Sequence, residues 1–195
     1  PTDTVLVLDL SGSMEKSNSE SDLIDAANDA IKRLLDTNNN NRIGVVLYSA
    51  SGSTGTSTYS ESVTQILPID RYTTGSDGIY LSLSRQGRVS VDSDVTGTKS
   101  FDKNKTKSFG GGTYIQAGLW EALKMFEGMD TVISDNNWQS GDNRMPILVL
   151  MSDGATSEGT DWIRTEIEAW RDGTAENLAE HLCRSARRRR SEKRQ

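Results

Sequence analysis

The sequence predicts an α/β fold: a doubly wound, mostly parallel sheet flanked by helices, with a β-hairpin inserted. Two runs, TVLVLD at 4–9 and MPILVLMSDG at 145–154, contain nearly continuous aliphatic stretches, as strands buried on both faces do. A third, RIGVVLYSA at 42–50, follows the first after a stretch of helical periodicity and so makes a β–α–β unit. Finally, the runs at 4–9 and 145–154 both lead into short turns of Asp, Ser and Gly, where α/β sheets carry their ligands.

After the first strand comes a polar loop, SGSMEKSNSE. From about Ser21, apolar residues recur at helical spacing: Leu23, Ile24, Ala27, Ala30, Ile31, Leu34 and Leu35. Asp22 and Asp25 lie near the start of this helix and Lys32 and Arg33 near its end, as the helix dipole favours, and the asparagines at 38–41 stop it. Between Ser49 and Thr64, 12 of 16 residues are Ser, Thr or Gly, which predicts a flexible connection. SVTQILPI at 62–69 fits an edge strand, with Pro68 near its end. IYLSLS and RVSVDSDV alternate around Gln86-Gly87, predicting a hairpin over 79–95 that stands outside the parallel core and can be spared with the rest of 74–107. The Lys-rich link at 99–107 is expected to be exposed. GGGTYIQAGLWEALKMFEG then predicts a helix with Ile115, Leu119, Ala122, Leu123 and Phe126 on its inner face. After the strand at 145–154, a further helix is expected over 160–172, with Trp162, Ile163, Ile167 and Trp170 inward, and a short one beyond Gly173.

Composition narrows the function. A chain of 195 residues suits one domain. It holds 24 Ser and 18 Thr, so its surface is strongly polar. A single cysteine, Cys183, excludes an internal disulfide and a Cys-rich zinc site, and a lone His181 argues against His-based metal or triad chemistry. No apolar run approaches the roughly 18 residues of a membrane span, and no signal-peptide pattern opens the chain. Residues 1–183 carry a net charge of −12 and residues 184–195 one of +6. An acidic body repels phosphate backbones, so the folded part is not expected to bind nucleic acid. The tail RSARRRRSEKRQ reads as a solvated, divergent or truncated end over 174–195, leaving 1–173 as the domain, with an insertion at about 73–108.

Three separated segments place polar residues at strand ends or helix starts: Asp9, Ser11 and Ser13; Thr113; and Asp153. Two carboxylates and three hydroxyls form an all-oxygen set, suited to a hard divalent cation. Because hydroxyls are neutral, a cation held largely by them keeps charge with which to attract an acidic side chain.

DLSGS at 9–13, GGT at 111–113 and MSDG at 151–154 resemble the metal-ion-dependent adhesion site of von Willebrand factor A domains, and the surrounding strings match that family in order over roughly 4–170. The resemblance implies a Rossmann-like sheet. It also implies direct coordination of Mg²⁺ (or Mn²⁺ or Ca²⁺) by Ser11, Ser13 and Thr113, with Asp9 and Asp153 acting directly or through water. The expected function is metal-dependent binding of a partner protein's Asp or Glu, at a bacterial cell surface or pilus and without catalysis. An intracellular assembly module of a larger complex is the alternative. A magnesium-dependent phosphotransferase also starts with an Asp at the end of the first strand, but Ser11 stands where its second acid is needed. The glycines at 110–112 lack the Lys-Ser/Thr sequel of a P-loop. The family's further core strands are not found between Gly173 and Gln195.

Overall fold

The computed structural model describes residues 1–16, 19–50, 59–127 and 144–154. In order, the elements are β1 (Thr2–Asp9), α1 (Gly12–Lys16), α2 (Glu20–Thr37), β2 (Arg42–Tyr48), α3 (Tyr59–Ser62), β3 (Val63–Asp70), β4 (Tyr72–Thr73), β5 (Leu81–Leu83), β6 (Arg88–Val91), β7 (Thr96–Gly97), β8 (Thr106–Ser108), α4 (Ile115–Glu127) and β9 (Met145–Met151). The expected helix at 160–172, the short helix and basic tail after it, the boundary near 173 and the missing strands all lie outside the described residues. So do residues 51–58 of the Ser/Thr-rich connection.

The main sheet has the order β3-β2-β1-β9. β1 is central, with β2 and β9 parallel to it on either side, and β3 forms an antiparallel edge on β2. Strand alternation divides the core into two faces. Leu6 and Leu8 of β1 and Ile43, Val45 and Leu47 of β2 pack with Leu23, Ile24, Ala27, Ile31 and Leu35 of α2. Val5, Val7, Val46 and Tyr48 point the other way and pack with Ala122, Met125 and Phe126 of α4. The doubly wound α/β architecture is therefore as expected, each buried aliphatic side chain contributing about 1.5–3 kcal/mol of burial. α2 runs one turn beyond Lys32 and Arg33, so its last turn has no basic residue, while Glu20 and Asp22 occupy its first turn. Part of the loop expected at 11–20 forms the short helix α1.

α4 is rolled from its expected orientation. Leu123 is exposed and Ile115 and Leu119 are half-buried, whereas Ala117, Gly118, Ala122, Met125 and Phe126 face inward. Close approach decides this: a Cβ on Gly118 would lie 2.7 Å from Tyr48 Cδ1 and 2.9 Å from Val7 Cγ1. The small residues seat the helix on the sheet, and the larger leucines are displaced from the contact.

The hairpin forms as expected, β5 pairing antiparallel with β6, and β8 adds a third strand. It is outside the parallel sheet but not dispensable to the core. Leu81, Val89, Val91 and Val95 are buried in the cluster built around α2. Asn28 of α2 joins the two: its Oδ1 accepts from the backbone N–H of Tyr80 and Leu81, and its Nδ2 donates to Leu81 O at 2.9 Å. Cutting out 74–107 would uncover this side of α2, which overturns the expectation that the segment can be spared. Residues 102–106 of the Lys-rich link are exposed, as expected.

β9 is parallel to β1 but is not fully buried, with Met145 62% and Leu150 41% exposed. Among the described residues it is an edge strand, and nothing flanks it as β2 flanks β1. At the amino end of the sheet, the fully buried Asp3 carboxylate accepts from Arg42 Nε at 2.7 Å and Nη2 at 2.6 Å, and from Arg144 Nε at 2.8 Å. Three parallel strands are thus tied together at one end by a single neutralised carboxylate.

Candidate functional site

At the opposite end of the sheet, β1 terminates in Asp9, also fully buried. The chain then turns sharply, and Ser11 N–H donates to Asp9 Oδ1 at 2.8 Å, so the loop folds back on the carboxylate that precedes it. The two-residue spacing brings the Ser11 and Ser13 hydroxyls to 2.9 Å of each other. Ser13 Oγ in turn donates to Asp153 Oδ1 at 2.9 Å, across 140 residues of sequence. β9 supplies this partner because its pairing with β1 ends at Leu8–Met151, which sets the 152–154 turn beside the Asp9 loop. Ser152 Oγ from the same turn donates to Asp9 Oδ2 at 2.6 Å.

The segment preceding α4 is stitched to the same place by its backbone. Gly12 N–H donates to Gly111 O at 2.9 Å, Gly110 N–H to Leu10 O at 2.8 Å, and Ala50 N–H to Gly112 O at 2.7 Å. A Cβ at position 12 would lie 3.1 Å from Gly111 O, so glycine allows the two loops to touch. Thr113 follows directly and is buried two residues before α4 begins. Asp9, Ser11, Ser13 and Asp153 therefore share one neighbourhood through their side chains. Thr113 is brought beside them by the loop that carries it.

The site is an oxygen-only set. Among the described residues no three His, Cys, Asp or Glu side chains gather in one place, so serine hydroxyls make up what carboxylates do not provide. Asp9 has neutral hydrogen-bond donors only: no Lys or Arg among the described residues pairs with it.

Two members of the neighbourhood were not chosen from the sequence. Ser152, though part of the MSDG string, orients Asp9. Tyr48, opposite Asp9 in the β1–β2 register, is fully buried, and its hydroxyl has no hydrogen-bond partner. Burial pushes the Tyr48 phenol well above its usual range; nearby Ser152 opposes this, while the Asp9 and Asp153 charges reinforce it. The hydroxyl is thus close enough to Asp9 and Ser152 to feel them, without a hydrogen bond of normal geometry to either. An orphaned buried hydroxyl costs about 1–3 kcal/mol. The one signal in the sequence was a phenol at the end of an otherwise aliphatic strand.

Residues 4–86 match the von Willebrand factor type A domain model. No curated protein matches the chain. Among solved structures, it is similar to the pilus adhesin SpaC from Lactobacillus rhamnosus GG in its open conformation, at 19% identity and a TM-score of 0.42. That match takes in 80% of this chain and about 15% of the adhesin's length. Among the described residues, no helix is long and apolar enough to cross a membrane. The matched residues 4–86 carry β1, α2, β2, β3 and the first strand of the inserted hairpin, and this part of the chain is similar to von Willebrand factor type A domains.

Proposed function

We propose that the chain is a metal-dependent protein-binding module in which Asp9, Ser11, Ser13, Thr113 and Asp153 hold a divalent cation. The observation that carries this reading is the state of Asp9: a fully buried carboxylate with no cationic partner among the described residues. A buried charge left uncompensated costs several kcal/mol, and a bound cation would remove that cost. The donors fit a hard ion. They are all oxygens, and they are few enough to leave room for waters, as Mg²⁺ prefers; Mn²⁺ is an equivalent, and Ca²⁺ favours more ligands. The cation would supply an open coordination position for an Asp or Glu of a partner protein.

The residues themselves set the direction of approach. Asp9 and Ser11 are buried, while Ser13 and Asp153 are exposed, so the set opens outward at Ser13 and Asp153. Of the five residues, those exposed to a partner carboxylate entering there are one neutral hydroxyl, Ser13, and one acid, Asp153. Ser11, in the position a phosphotransferase needs for its general acid, supports binding over catalysis. A bacterial surface or pilus location belongs to the same reading and rests on the Ser/Thr-rich sequence and the resemblance of its motifs.

Thermal unfolding with millimolar Mg²⁺ or EDTA tests the site, with a higher melting temperature expected in Mg²⁺. Unchanged curves would end the reading. A pull-down from candidate partner proteins, run with Mg²⁺ and with EDTA, tests the function. Partners retained equally in both arms would place the binding surface elsewhere.

A further inference from the structure

We infer that Tyr48 is a positioning residue of this site, its hydroxyl held in reserve to orient the Asp9 carboxylate when a cation is bound. The inference rests on the metal-site reading above and extends it to a residue outside the five ligands. Three observations converge. The Tyr48 side chain is fully buried and its hydroxyl is without a hydrogen-bond partner. The ring packs closely on α4, where a Cβ at Gly118 would come within 2.7 Å of Tyr48 Cδ1, and it has no exposure to solvent. The strand register sets Tyr48 directly opposite Asp9.

Phenylalanine would fill the same space without an unsatisfied donor, so packing alone does not explain the oxygen. Asp9 already accepts from Ser11 N–H on Oδ1 and from Ser152 Oγ on Oδ2, and each carboxylate oxygen has a further lone pair. A small rotation of the carboxylate presents one of them to Tyr48. The phenol then fixes the orientation that Asp9 offers to the cation, in the way hydrogen-bond partners behind metal ligands generally tune affinity.

The test is Tyr48→Phe in the full chain, with Mn²⁺ and Mg²⁺ affinity measured by calorimetry and apo melting temperature measured in EDTA. The expected result is an apo melting temperature equal to or above the wild type, together with metal affinity weakened about tenfold or more. Equal metal affinity in the two proteins overturns the inference and leaves the metal site standing. A Tyr48→Phe protein that melts lower in EDTA or fails to fold also overturns it, because the hydroxyl would then be needed without metal. A wild type that binds neither ion overturns both readings at once.

Discussion

β1 carries a fully buried aspartate near each end, Asp3 and Asp9, and the two face the same side of the sheet. Their surroundings differ in one respect. Asp3 is enclosed by Arg42 and Arg144, with two hydrogen bonds from the first and one from the second. Asp9 receives a backbone N–H and a serine hydroxyl, and lies beside a tyrosine that bonds to nothing. Burial of a carboxylate is therefore not the mark of a site on this strand; burial without a counter-charge is. Asp70 of β3, at the same end as Asp3, is completed by the chain in another way, with neutral donors and no counter-charge. It is buried and accepts from the Thr98 hydroxyl and the backbone N–H groups of Lys99 and Arg71. The amino end of the sheet is completed by its own chain, and the carboxyl end is left for something else to complete.

The largest effect that would break this contrast is expected at the amino end. Arg144→Ala leaves part of the buried Asp3 charge without a partner and should destabilise the protein by about 3–5 kcal/mol in urea unfolding, equally with Mg²⁺ or EDTA. A Mg²⁺-dependent change would erase the distinction between the ends. At the carboxyl end, wild type should gain about 2.7 kcal/mol when free Mg²⁺ is 100 times its dissociation constant. Asp9→Asn should lose that gain while melting, in EDTA, no lower than wild type. A variant that unfolds at all metal levels would make Asp9 structural, as Asp3 is. Asn28→Ala orphans buried backbone groups of β5 and should cost about 1–3 kcal/mol, again independent of metal.

The smallest effect concerns pH. Burial alone would raise the Asp70 carboxyl, but hydrogen bonds from Thr98, Lys99 and Arg71 outweigh it and hold the group below the usual carboxylate range. A lowered folded value means its contribution is complete above about pH 4, near the unfolded value, and is lost as pH falls through the folded one. Asp70→Asn should therefore flatten the stability–pH curve on the acid side of pH 4, leaving the curve above it parallel to wild type. A variant with the wild-type acid slope would show that Asp70 does not drive it.

The strands and α2 were legible because their residues report burial directly: TVLVLD cannot be solvated on either face, and Leu23, Ile24, Ala27 and Ile31 define one stripe. The hairpin was legible from its alternation, yet its docking was not, because Asn28 looks like any polar residue on the outer face of a helix. α4 was misread for a related reason. Hydrophobicity favours Leu119 and Leu123, but Gly118 and Ala122 determine how near the helix can lie. The site motifs were visible as three fragments, whose convergence depends on β9 pairing with β1. The Asp3 cluster left no local trace, since its three members are brought together only by parallel pairing.

The pairing of Ser13 with Asp153, and of Asp3 with Arg144, also sets an order in time. A chain emerging from the ribosome can close β1 against β2 once about residue 48 is free, but the other side of β1 has no neighbour until residue 151 has followed. Throughout that interval an aliphatic strand edge is open to other nascent chains, the condition under which wrong pairings arise. The aspartates at 3 and 9 stand at the two ends of that open edge, and each waits for one partner from the far segment, Arg144 for Asp3 and Ser152 for Asp9.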